Sequence, residues 1–192
     1  QGFALPLMVY PETRDRVYKK QKITYFYQKI LNGYKAQLMK RNADYIVVET
    51  QAFKDRVHDF LNFNKNDIFV IENSFNSNFL NQKLEKKHDN FLNFFVPTAY
   101  YPHKNLEILV DVAAELAIQK QTNIKFNFLI DEQSGPWLKI ISMAKGKNVE
   151  TFFNTYGPVK NTEMANLYAK TDFVLLPTVA EASTAVYPES FI

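Results

Sequence analysis

Short runs of β-branched and aromatic residues recur along this chain, separated by helix-length stretches. That alternation constrains the fold more than any other feature. Residues 45–48 (Tyr-Ile-Val-Val) are the first run, apolar throughout and too short for a helix, as expected of a buried strand. Residues 68–71, 91–96, 126–130, 149–153 and 172–176 are further runs of this kind, with Pro97 and Pro177 closing two of them. Between them the apolar residues recur at three- and four-residue spacing. Thr50 is placed to cap a helix carrying Phe53, Val57, Phe60 and Leu61. Further helices are expected through Leu106–Leu116, Trp137–Ala144 and Asn161–Lys170. Strands separated by helices of this length form parallel βαβ units with right-handed crossovers, so the expected class is α/β, with Rossmann-like sheets covered by helices.

The alternation lapses once. Residues 73–90 are polar and Asn-rich, and the charge cluster 83–89 (Lys-Leu-Glu-Lys-Lys-His-Asp) reads as an exposed connection. The expected organisation is residues 1–80 as one domain, 81–90 as a linker and 91–192 as a second domain. With no cysteine, the chain has no disulfide framework, thiolate metal site or cysteine nucleophile. An apolar fraction of 46% excludes a disordered chain. A formal net charge of +3 is too mild to argue for nucleic acid. The first ten residues have neither an initiator Met nor the positive n-region of a signal peptide, so this is not expected to be a natural N-terminus.

The modest net charge hides a basic first fifth. One helix is expected over residues 13–42, with Ile23, Phe26, Tyr27, Ile30, Leu31, Tyr34 and Leu38 as its apolar face and lysines and arginines over the remainder. The reading preferred for it is a core-packed helix with a solvated basic face. The alternative is a helix over 14–41 in peripheral contact with an anionic membrane.

In an open parallel sheet, ligands sit outside the carboxyl ends of the strands. The loops after Val96, Phe153 and Leu176 are therefore where binding residues are expected. The last holds Glu181 and Glu189 eight apart, with small Ser183 and Thr184 between them, and Pro188 is compatible with a helix beginning near Ala185. Upstream stand Gly157-Pro158-Val159 and Pro102-His103-Lys104-Asn105. Further back are residues 43–50 (Ala-Asp-Tyr-Ile-Val-Val-Glu-Thr) and 69–73 (Phe-Val-Ile-Glu-Asn).

In this order and spacing, the series resembles the family 4 glycosyltransferases (glycosyl transferases group 1), enzymes with the two-domain GT-B fold. The resemblance covers most of the chain from about Ala43 onward. It implies that Lys104 meets the diphosphate of a nucleotide-sugar donor, offsetting charge that develops on the leaving group. It implies that Glu181 lies by the donor sugar as the catalytic carboxylate, and that Glu189 accepts hydrogen bonds from the ribose hydroxyls. Ser183 and Thr184 then fall where backbone amides approach the phosphates, and the turn ending in Val159 borders the base. Two positions depart from the family pattern. Thr98 and Ala99 stand where an arginine is usual, and Thr184 replaces the usual glycine between the glutamates. No Asp-x-Asp pair occurs in the chain, as in metal-independent members, and no metal site is expected at His58, His88 or His103.

The implied activity is sugar transfer, with retention of configuration, from a UDP- or GDP-linked donor to a glycan or lipid-linked acceptor. No cofactor besides that substrate is implied. The implied setting is polysaccharide biosynthesis in the cytoplasm, peripheral at the inner membrane if the basic helix lies on lipid. Two other readings stay open: a nucleotide-sugar-binding module without transferase activity, and a GT-B-fold epimerase of the sugar nucleotide. Two whole Rossmann-like domains need nearly twice this length, so the expectation is a section of a larger enzyme, inactive alone.

Overall fold

The computed structural model describes residues 5–19, 21–75 and 90–191. Most of the expected linker 81–90 lies outside them. The chain divides into two compact units, Gln1–Ser74 with Val179–Ala185, and Phe75–Thr178 with Val186–Ile192.

The first unit contains α1 (Pro6–Val9), α2 (Pro11–Tyr18), α3 (Lys22–Asn42), β1 (Ile46–Val48), α4 (Gln51–Leu61) and β2 (Ile68–Val70). β1 and β2 pair in parallel, Ile46 opposite Ile68 and Val48 opposite Val70. α4 makes the crossover. Thr50 caps it, its Oγ1 accepting from the Phe53 N–H at 3.1 Å, and Asn62 in the left-handed conformation ends it. Phe53, Val57 and Leu61 recur every four residues, so they share one face. That face is buried with Ile46, Val48 and Ile68, and α1 adds Met8 and Val9 to the same core.

Two expectations about the basic region are corrected. The helix is not continuous: α2 ends at Tyr18 and α3 begins at Lys22. Gln21 sits outside the helical region at φ −121° and ψ 65°, and Lys19 and Lys22, three residues apart, carry like charges across the junction. Nor does the apolar face pack into a core among the described residues. Ile23, Phe26, Tyr27, Ile30 and Tyr34 are 76%, 61%, 68%, 56% and 63% exposed, while Asn32 and Met39 are the buried residues of α3. The helix is seated by the side opposite its aromatic residues.

The second unit holds β3 (Leu92–Val96), α5 (Ile108–Ile118), β4 (Ile124–Phe128), α6 (Gly135–Lys145), β5 (Phe153–Thr155), α7 (Asn161–Ala169), β6 (Phe173–Val174) and α8 (Val186–Ser190). Its four strands are all parallel, in the order β5-β4-β3-β6. Strand alternation sends one set of side chains to each face. Phe94, Phe126 and Phe153 form an aromatic row, with neighbouring ring centroids 5.7 Å apart, and Phe173 stacks on Phe94 at 5.2 Å. Phe126 and Phe153 share their core with Leu109, Val110 and Ala113 of α5 and with Trp137 and Ile140 of α6. The opposite face carries a row of amides. Asn154 donates to Asn127 at 3.0 Å, and Asn127 donates to Asn93 at 3.1 Å. Beside them Phe95 meets Tyr168 of α7 edge-on, ring centroids 5.3 Å apart.

The strand expected over 149–153 is displaced. Glu150–Phe152 is a 3₁₀ turn and pairing begins at Phe153. Val149 and Phe152, three residues apart, both enter the core, which suits the three-residue period of that turn and not the two-residue period of a strand.

Candidate functional site

The loop between β3 and α5 carries Lys104. Pro102–Lys104 forms a 3₁₀ turn, closed by the Lys104 N–H donating to the Tyr101 carbonyl at 2.9 Å. Asn105 ends it with φ at 54°, a conformation asparagine tolerates better than most side chains. Two side-chain bonds tie this loop to the one after β6. Asn105 Nδ2 donates to the Pro177 carbonyl at 3.3 Å, and Thr178 Oγ1 donates to the His103 carbonyl at 3.1 Å. The two loops that follow adjacent strands are thus cross-linked at the carboxyl edge of the sheet, on both sides of Lys104.

A second cluster braces the same loop. The Tyr100 hydroxyl donates to Oε1 of Glu107, and Lys139 Nζ of α6 reaches that oxygen at 2.7 Å and the Tyr100 hydroxyl at 3.2 Å. Burial alone would raise the Glu107 pKa, but the bonds from Lys139 and Tyr100 outweigh it and hold the carboxyl below its ordinary value. The Glu107 bond raises Lys139, and burial, then the bond to Glu107, raises Tyr100.

Glu189 lies in α8, where its Oε2 accepts from the Tyr168 hydroxyl at 3.0 Å. Burial, then the nearby carboxylate, pushes the Tyr168 pKa far above the usual tyrosine range. The hydroxyl therefore stays protonated and holds the carboxylate as a donor. Val159 follows Gly157, whose φ of 70° forms the turn after β5 and whose N–H donates to Thr155 Oγ1 at 3.0 Å. Beside that turn, Asp131–Gln133 and Thr155–Pro158 line a cleft of about 450 Å³.

Lys104, Val159 and Glu189 belong to the second unit. Glu181, Ser183 and Thr184 lie in the segment Val179–Ala185, which groups with the first. There the Ala182 carbonyl accepts from Thr50 Oγ1 at 3.4 Å, and Ser183 Oγ from Asn73 Nδ2 at 3.3 Å. Among the described residues no three His, Cys, Asp or Glu side chains gather as a metal site would require. Sequence reasoning misses the roles of Asn105, Thr178 and Tyr168. For Asn105 a signal is present, since asparagine directly after a Pro-led turn suits a left-handed position.

The chain is similar to several solved structures. A point mutant of TarM from S. aureus, in complex with fondaparinux, alpha-GlcNAc-glycerol and UDP, superposes with a TM-score of 0.59 at 21% identity, over 79% of this chain and 29% of that one. A glycosyltransferase from Rickettsia africae gives 0.57 at 15%, over 77% and 41%. The catalytic domain of starch synthase IV from Arabidopsis thaliana, bound to ADP and acarbose, gives 0.50 at 11%, over 77% and 37%. The fold is GT-B. This section of GT-B spans about three-tenths of the TarM chain it matches. No protein-family model and no curated protein matches the sequence.

Proposed function

We propose that this GT-B section belongs to a family 4-like, retaining glycosyltransferase that moves a sugar from a UDP- or GDP-linked donor to a hydroxyl of a glycan or lipid-linked acceptor. The observation that carries the reading is the cross-linked pair of loops around Lys104 at the carboxyl edge of a parallel sheet, where such folds bind ligands. In this reading the Lys104 ammonium meets the donor diphosphate and stabilises charge as the bond from the anomeric carbon to phosphate breaks. The acceptor oxygen bonds to the same face of that carbon, and its proton passes to the departing diphosphate. Glu181 lies by the sugar, Glu189 accepts from the ribose hydroxyls, the Ser183 and Thr184 amides face phosphate, and the turn at Val159 borders the base. The residues 1–80 belong to the acceptor domain and 91–192 to the donor domain. The reaction is metal-independent, belongs to polysaccharide biosynthesis and takes place in the cytoplasm, and this section alone binds donor without turning it over. The nucleotides bound to TarM and starch synthase support a nucleotide-linked donor.

Thr98 and Ala99, where the family usually has an arginine, favour a second reading as a nucleotide-sugar-binding module. Calorimetry with UDP and GDP tests the shared site. Lys104→Ala and Glu189→Ala should each weaken the preferred nucleotide at least tenfold, as loss of a charge-assisted hydrogen bond requires. Unchanged affinity in both variants would show the site to be wrongly assigned. Transfer, epimerisation or neither by the full-length enzyme separates the readings.

A further inference from the structure

Tyr168 is held on two sides before it meets Glu189. It lies in the last turn of α7, where the Lys170 N–H and Thr171 Oγ1 both donate to the Leu167 carbonyl, at 3.2 and 2.8 Å, and close the helix end. Its ring meets the fully buried Phe95 of β3 edge-on, with centroids 5.3 Å apart. A tyrosine has only two side-chain torsions, so fixing the ring also fixes the hydroxyl oxygen. Glu189 is set differently. Its side chain is half-buried on a short helix and has three torsions to settle. The Tyr168 hydroxyl donates to its Oε2 at 3.0 Å, and no other described residue bonds the carboxylate. Phe95, Tyr168 and Glu189 all belong to the second unit, so the arrangement is internal to it.

We infer, resting on the ribose role proposed for Glu189, that Tyr168 is the positioning residue that makes this site prefer a ribose over a deoxyribose. By holding Oε2, the tyrosine orients the carboxylate and leaves Oε1 to the nucleotide. An ionised carboxylate only accepts hydrogen bonds, so Oε1 needs an O–H opposite it. A ribose hydroxyl supplies one, and a deoxyribose carbon does not. Burial keeps the Tyr168 hydroxyl protonated, so it remains a donor and does not compete for the proton of that ribose hydroxyl. Without the tyrosine hydroxyl, Glu189 would be free to change rotamer, and each binding event would have to order it again. Ordering one such side chain costs about two- to tenfold in affinity. A tyrosine that only tied α7 to α8 would act otherwise, since a loosened unit binds every nucleotide more weakly alike.

Calorimetry on the full-length protein tests it, with the preferred of UDP and GDP set against its 2′-deoxy and 3′-deoxy analogues. The parent should bind at least one deoxy analogue at least tenfold more weakly, the cost of a lost hydrogen bond to a charged group. Tyr168→Phe keeps the ring on Phe95 and removes only the donor. It should weaken the ribonucleotide about two- to tenfold and leave that analogue within about twofold, so the preference narrows. In a Glu189→Ala background, which should lack the preference, Tyr168→Phe should change neither affinity, because it acts through Glu189. Equal weakening of both nucleotides by Tyr168→Phe, or a preference that Glu189→Ala abolishes and Tyr168→Phe leaves intact, would overturn the inference alone. No preference in the parent, or one that survives Glu189→Ala, would overturn the ribose role of Glu189 and the inference with it.

Discussion

Glu107 holds the Tyr100 and Lys139 side chains together, and removing it has a calculable cost. In Glu107→Ala the Tyr100 hydroxyl loses its acceptor and Lys139 loses its counter-charge. A hydrogen bond to a carboxylate contributes about 1.5–3 kcal/mol. The Lys139 pair adds about 1 kcal/mol at most, since that side chain is 55% exposed and screened by water. The total, about 2–4 kcal/mol, corresponds to a midpoint drop of roughly 10–20 °C in a domain of about 100 residues. Trp137 is the chain's single tryptophan, buried in the core of the same unit, so its fluorescence reports this unit alone. Glu107→Gln keeps an acceptor and should fall about half as far. The pH dependence has a definite sign. Because the folded Glu107 pKa is lowered, its contribution is complete above the ordinary glutamate value of about 4.3 and is lost as pH falls through the folded one. Because the folded Lys139 pKa is raised, its contribution is complete below about 10.4 and is lost as pH rises through the folded value. The gap between parent and Glu107→Ala should therefore be widest in between and close in acid. A midpoint within about 2 °C of the parent near neutral pH, or a gap that persists unchanged to about pH 3, would refute the brace.

Three further outcomes are expected. Asn105→Ala loses the bond to Pro177 and leaves at φ 54° a residue without the amide that eases the left-handed conformation, so denaturant unfolding should show a loss of about 1–2 kcal/mol. Thr50→Ala removes the cap of α4 and should cost about 1 kcal/mol, whereas Thr50→Ser should recover most of it. Absorbance titration in alkali should find Tyr168 still protonated when exposed tyrosines ionise. Its stabilising contribution, complete below the ordinary value of about 10, should be lost as pH rises toward the raised folded one.

Wherever burial and period agree, the sequence is enough to read the fold. Ile46, Val48 and Ile68 are buried in short parallel strands, and Phe53, Val57 and Leu61 line a capped helix, as their spacing requires. The failures share a cause: an apolar residue does not state which neighbour covers it. The stripe on α3 has helical period, yet its direction depends on Asn32 and Met39, which a pattern of hydrophobicity ranks below Phe26 and Ile30. Val149 and Phe152 read as strand because both are apolar, although their spacing belongs to a turn. In the candidate site, Lys104 and Glu189 are legible as motif residues. The contacts around them are not, since Thr178 and His103 stand 75 residues apart and Tyr168 and Glu189 stand 21 apart, pairings that only the closed fold creates.

The amide row and the aromatic row of the second sheet lie on opposite faces of the same strands. A slip of one residue in β4 would turn Phe126 and Phe128 toward the amides and drive Asn127 among the rings. Stripping a buried amide of its partners and taking two phenylalanines out of their ring contacts would each be penalised, and by unrelated forces. The sheet therefore carries its alignment in duplicate, in hydrogen bonds on one side and in ring contacts on the other. Parallel strands, joined through long crossovers and lacking tight turns to fix their offset, gain from such proofreading while the chain is still finding its pairs.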